Sequence, residues 1–101
     1  MKPTMDYRLM KTLACDARLK ILDFLNHPEE HFPDVPEAAE TGLTNKMISG
    51  KLRVTQESVS IHMKWLTTTH LVTGTKVGIR VFYKRNEDGI QKAIGSLISI
   101  L

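Results

Sequence analysis

Apolar positions recur along this chain with two periods, and the change of period divides it into elements. Met5, Leu9 and Leu13 fall four residues apart, the stripe of an amphipathic helix. Thr4 can cap that helix, Pro3 precedes it and Asp6 lies in its first turn, so a helix is predicted over residues 4–14. Asp16, a good N-cap, opens a second helix to Leu25, with Ala17, Ile21, Phe24 and Leu25 facing inward. The pattern then lapses over residues 26–43. Pro28, Pro33 and Pro36 with Glu29, Glu30, Asp34, Glu37 and Glu40 argue against a regular helix or strand before Ala38. A loop this long is unusual in a small domain.

Helical spacing resumes after the loop. Thr44 or Asn45 can cap a third helix over Lys46–Leu52, with Ile48 and Leu52 inward. Arg53-Val54 make a short turn, and Thr55 caps a fourth helix from Gln56 to Thr68. Val59, Met63 and Leu66 bury one face of it, while Gln56, Ser58, Ser60, Ile61 and Lys64 fall mostly off that stripe. Then Leu71–Lys76 and Ile79–Lys84 read as β-strands joined through Val77-Gly78. Asn86 can cap a last helix over 87–101, favoured by Glu87 and Asp88 in its first turn. Its apolar positions are Ile90, Ala93, Ile94, Leu97, Ile98 and Leu101.

The order of elements predicts a mainly α chain with a small β-hairpin: five helices plus a wing, in one domain of 101 residues. So short a domain has a thin core and gains from a partner chain. The last helix carries a wider apolar stripe than a small core needs. A second copy is the simplest cover, because closed two-fold pairing is the commonest oligomer. Met5, Leu9, Leu13, Ile90, Ile94, Leu97, Ile98 and Leu101 are the expected dimer-interface residues.

Charge sharpens this picture. Residues 1–43 carry five Lys/Arg against eight Asp/Glu, residues 44–85 eight against one, and residues 86–101 one against two. The positive charge is thus concentrated in the two central helices and the hairpin, the pattern of a surface for a polyanion. Two short helices with a tight turn, followed by a basic hairpin, form a winged helix-turn-helix. A helix of about 10–12 Å diameter enters a DNA major groove about 12 Å wide. Recognition is expected from Thr55, Gln56, Ser58, Ser60, Ile61, His62 and Lys64, within a helix over 55–68. Gln56 can bond adenine twice, the serines can address base or phosphate, and Ile61 can touch a thymine methyl. Within the wing, residues 71–85, Lys76, Arg80 and Lys84 are expected on the backbone or in the minor groove.

Three stretches resemble the ArsR (arsenic-repressor) family. Cys15-Asp16-Ala17-Arg18-Leu19-Lys20-Ile21-Leu22 is similar to that family's "ADPTRLRIL" helix. Residues 52–66, LRVTQESVSIHMKWL, resemble its "LGLSQSTVSRHLKVL" stretch, and Leu71-Val72 with Gly78–Tyr83 its "GLV…GRxVYY" wing. The resemblance implies a homodimeric repressor on an inverted-repeat operator, paired through its first and last helices and released by a signal. There are departures: Ile61 replaces a polar or basic residue, His70 stands where the family has a glycine, and the acidic loop is an insertion.

Many members of that family sense metals through a cysteine pair in the third helix or Asp/His/Glu ligands in the last. Lys46–Lys51 holds no cysteine, and Gln91–Leu101 no such ligand, so neither thiolate nor imidazole is in place for Zn²⁺. No metal or cofactor is expected. His27 and His31, with Glu29 and Glu30 between them, would form a site only in a suitably folded loop. Cys15 reads as a small buried residue; as a redox sensor it would need an intermolecular partner. A small-molecule or redox signal stays open. No Ser/His/Asp order or Gly-rich phosphate loop suggests an enzyme. No run approaches the ~20 apolar residues of a membrane span, and Met1–Arg8 lacks the apolar region of a signal peptide; a cytoplasmic protein is expected. The second reading is a winged-helix module that binds protein and not DNA, which Ile61 and the acidic loop would suit.

Overall fold

A computed structural model describes residues 7–101. Thr4 and Met5, with the start of the first helix, lie outside the described residues. Among the described residues the chain forms seven helices and one hairpin: α1 (Tyr7–Leu13), α2 (Asp16–Asn26), α3 (Pro28–His31), α4 (Ala38–Thr41), α5 (Asn45–Leu52), α6 (Gln56–Thr68), β1 (Val72–Val77), β2 (Arg80–Arg85) and α7 (Glu87–Ile100). The winged helix-turn-helix expected from the sequence is present, with two helices more than the five expected.

The two extra helices are single turns inside the acidic segment. Pro28 occupies the first turn of α3, where a missing N–H costs nothing, and Glu29 and Glu30 follow it beside the positive end of the helix dipole. The proline that argued against a helix therefore starts one. The segment is held to α2 by rings. Phe24 lies 5.0 Å from the His31 ring and 5.7 Å from Phe32, edge-on to the latter. His31 Nε2 sits 2.9 Å from Asp23 Oδ2. The histidine is thereby drawn to Phe24 and Asp23, and among the described residues no group of three metal-ligating side chains stands together.

Caps set most other boundaries. The side chains of Thr44, Thr55 and Asn86 accept from the backbone N–H of Met47, Ser58 and Gly89, the N-cap bond that satisfies an orphan donor. Asp16, expected as a cap, is instead the first residue of α2; Cys15 stands at the cap, half-buried and without a side-chain bond. The hairpin turn is Gly78-Ile79, one residue later than expected. Val77 pairs with Arg80 across it, and Gly78 takes φ +64°, which a β-branched valine would resist.

His70 also adopts a positive φ, 63°. Its N–H donates to Thr67 O, and the Leu71 N–H to Leu66 O, the paired bonds of a Schellman motif. Leu66 and Leu71 are both buried beside it. The position is thus one that favours glycine, although this chain fills it with histidine.

The core joins α1, α2, α5, α6 and β1 through Leu9, Ile21, Phe24, Leu25, Ile48, Val59, Met63, Leu66 and Val72. Leu43 is fully buried and exchanges two backbone hydrogen bonds with Tyr83, 2.9 and 2.8 Å. That pairing ties the wing to the residue just ahead of the α5 cap. The molecule is elongated, 46 × 26 × 25 Å. Only Gly89 of α7 is buried, and it packs against the His70 carbonyl.

Two substitutions at this junction should move stability in opposite directions. His70→Gly relieves the left-handed backbone and should add roughly 0.5–1 kcal/mol. Gly89→Ala drives a Cβ into the His70 carbonyl oxygen and should cost about 2–3 kcal/mol. Urea unfolding followed by circular dichroism reads both.

Candidate nucleic-acid interface

The candidate interface begins with the turn between α5 and α6. Arg53 closes α5 in a left-handed conformation, φ 60°, and Thr55 caps α6 two residues later. The reversal brings the two helices together, and Asn45 Nδ2 donates to Ser60 Oγ at 2.6 Å between them. Asn45 is free for this bond because Thr44 does the capping.

Burial then divides α6 lengthwise. Val59, Met63 and Leu66 are at most 1% exposed. Gln56, Glu57, Ser60, Ile61, Lys64 and Thr68 are exposed, at the spacing of a single outward face. Ile61 alone is 61% exposed, an apolar side chain between Glu57 and Lys64. Thr55 and Ser58 are bonded to each other, hydroxyl to hydroxyl at 2.9 Å, besides the cap bond at 3.1 Å. They hold the helix start, while Gln56 projects from it.

The wing meets this face. Thr44, Lys46, Gln56, Ile79, Arg80 and Tyr83 line a hollow of about 320 Å³ between α5, α6 and the hairpin. Gln56 and Arg80, expected from the sequence, thus converge with Lys46, which was not singled out as a contact. Lys46, Lys64, Lys76 and Arg80 form no ion pair among the described residues. Lys84 is different: its ammonium donates to Glu40 O at 2.9 Å, at the base of the hairpin and away from the Gly78 turn. Arg85 forks onto Glu87 through bonds of 2.7 and 3.0 Å, which lowers the Glu87 pKa and raises that of Arg85. Two of the four hairpin bases are therefore engaged within the chain.

His62 faces neither solvent nor core fully. It is half-buried, with Nδ1 3.2 Å from Arg18 Nη1. Burial first, and then the Arg18 charge, hold its pKa below the ordinary value. Trp65, one turn on, has the Arg18 guanidinium 4.7 Å from its ring on one contact and that of Arg8 4.9 Å away on another, both within cation–π range. Sequence reasoning missed Arg8, Arg18 and Trp65 as a group. Their separation along the chain hid it, although Arg18 lies inside a stretch that carried the family resemblance.

The expected interface with a second copy is split by the chain's own packing. Leu9 is buried in the core, and Leu13, Ile90, Ala93 and Leu97 pack partly against it. Ile94, Ile98 and Leu101 are 44%, 72% and 98% exposed. No helix among the described residues is long and apolar enough to cross a membrane.

No protein-family model matches the chain. A Bacillus subtilis (strain 168) protein described as the uncharacterized HTH-type transcriptional regulator YbzH is 30% identical over 86 residues, which span 83% of this chain and 86% of that protein. Among solved structures, the transcriptional regulator HlyU from Vibrio vulnificus CMCP6 superposes with a TM-score of 0.61 at 28% identity, covering 93% of this chain and 84% of that one. HlyU from Vibrio cholerae N16961 gives a TM-score of 0.63 at 26% identity, covering 90% and 85%. With a polar-faced second helix, a wing beside it and relatives that are regulators and not enzymes, the chain belongs to the ArsR family of winged helix-turn-helix, DNA-binding transcriptional regulators.

Proposed function

We propose that the protein is a repressor that binds an inverted-repeat operator as a homodimer, with α6 of each protomer in the major groove. The observation that carries this reading is the convergence of Gln56 on α6 with Lys46 and Arg80 around one hollow. A polar side chain able to read a base edge lines it together with two cations able to hold phosphate. Gln56, Ser60, Ile61 and Lys64 form the groove-facing set, Thr55 and Ser58 fix the start of the helix, and His62 stands at its edge. Lys76 and Arg80 follow the backbone from the wing. Lys84, engaged at the hairpin base, acts there only if it leaves Glu40. The regulator works in the cytoplasm, and a small-molecule or redox signal releases the operator.

The second copy covers the outer stripe of α7, Ile94, Ile98 and Leu101, with the start of α1 beside it. Each such side chain gains roughly 1.5–3 kcal/mol on full burial. Two-fold pairing would set the recognition helices about 34 Å apart, one turn of duplex. The second reading, a winged-helix module that docks on protein, is favoured by one feature, the exposed Ile61 in the middle of the α6 face.

Salt separates the two readings, since each neutralised phosphate releases counterions. Footprinting on genomic DNA, followed by titration of the protected duplex at several salt concentrations, should show affinity falling steeply with salt. Arg80→Ala should lower affinity for every sequence and flatten the slope of log K against log salt by about 0.9. Gln56→Ala should relax the preference at one base pair by about 1–3 kcal/mol. Equal loss on all sequences would remove Gln56 from base reading.

Ile98→Glu puts a charge on the outer stripe without touching the chain's own core. It should convert a dimer to a folded monomer by sedimentation. A variant that still sediments as a dimer would move the interface elsewhere.

A further inference from the structure

Arg18 leaves no nitrogen of its guanidinium idle. Nε donates to Thr12 O at 2.9 Å and Nη2 to Lys11 O at 3.0 Å. These two carbonyls belong to the last turn of α1, where helical partners run out. Nη1 lies 3.2 Å from His62 Nδ1. The same guanidinium stacks on Trp65, 4.7 Å from the ring centre. One side chain on α2 thus grips the end of α1 and two residues of α6.

The contact with His62 has a chemical consequence. A guanidinium has five N–H donors and no acceptor. A hydrogen bond between Nη1 and Nδ1 can therefore run only one way, with the imidazole nitrogen accepting. Nδ1 must then carry no proton, and the proton of the neutral ring sits on Nε2. We infer that Arg18 is a positioning residue for DNA binding: it fixes His62 as the Nε2–H tautomer and ties it to α1, so that α6 presents a set donor to a phosphate. This deepens the proposed DNA-binding reading and rests on α6 facing the duplex. Arg18 itself need not touch DNA. The His62 pKa, lowered first by burial and then by the Arg18 charge, agrees in direction, because an imidazolium would set an N–H against the guanidinium.

The wild-type chain supplies the first test, without DNA. Nitrogen-15 NMR at a pH where His62 is neutral should show a pyrrole-type Nε2 and a pyridine-type Nδ1. A protonated Nδ1 in the neutral ring overturns the inference. The second test is Arg18→Met, whose apolar stem can still cover Trp65, with Arg18→Gln, neutral and able to accept as well as donate, as a second variant should methionine prevent folding. Either variant should raise the His62 pKa and mix its tautomers. Either should weaken binding to the footprinted duplex by about tenfold, the loss of one charge-assisted bond. The slope of log K against log salt should stay at the wild-type value. A slope reduced by about 0.9 would make Arg18 a direct phosphate contact and overturn the positioning role, as would unchanged affinity. The tautomer is read on free protein, so a wild-type chain that bound no duplex would sink the DNA reading while the nitrogen shifts still judged the Arg18–His62 contact.

Discussion

The exposed polar face of α6 is free to meet a partner because its other face is committed to the core. Val59, Met63 and Leu66 are excluded from water in the same cluster as Ile21 of α2, Ile48 of α5 and Val72 of β1. Three elements thus bear on one helical face, and burial of each side chain is worth roughly 1.5–3 kcal/mol. A helix held on one side by several neighbours can neither roll nor slide without losing packing. Its outer residues carry little of the fold's stability and are free to serve recognition. Thr55 and Ser58 extend the same logic, since their mutual bonds fix where the helix begins and hence where Gln56 projects.

Charge follows the packing. The sequence concentrates bases over residues 44–85, but the fold distributes them unequally. At the hairpin base Lys84 is spent on Glu40 O and Arg85 on Glu87, contacts that join the wing to α4 and α7. Toward the turn, Lys76 and Arg80 are exposed. Leu43, paired with Tyr83 on both sides of its peptide unit, anchors the hairpin to the strand-like residue before α5. The wing tip is therefore a cantilever with a fixed root, and its available cations sit near the end that faces Gln56.

The fold was legible wherever a local rule acted alone. Period, cap and turn chemistry placed α6 to the residue and both strands to within one. The polar face of α6 followed from its buried stripe. Legibility failed where tertiary contacts decided. Pro28 and the acids around it looked like a breaker, yet the ring contacts of Phe24 with His31 and Phe32 make a one-turn helix worth forming. His70 stands where the resembled family has a glycine, and the two Schellman bonds and the buried Leu66–Leu71 pair impose the left-handed turn on a residue that disfavours it. Within the interface, the bond from Lys84 to Glu40 O was not legible, because spacing carries no information about Glu40. Arg18 escaped notice for the same reason: its partners at Lys11, Thr12, His62 and Trp65 are gathered only by folding.

The same limit applies to the last helix, whose six apolar positions formed one stripe in the sequence. The fold separates that stripe into halves. Ile90, Ala93 and Leu97 lean on the chain's own core, while Ile94 and Ile98 are left outside. Leu9 of α1 lines a hollow of about 320 Å³ together with Gly89, Ala93 and Ser96 of α7. From α1, Arg8 reaches Thr68 Oγ1 and stacks on Trp65, and the carbonyls of Lys11 and Thr12 are held by Arg18. Under the proposed pairing, a copy seated on the outer half of α7 would bear on a helix that shares this hollow with α1, the helix whose Arg8 and last-turn carbonyls steady α6.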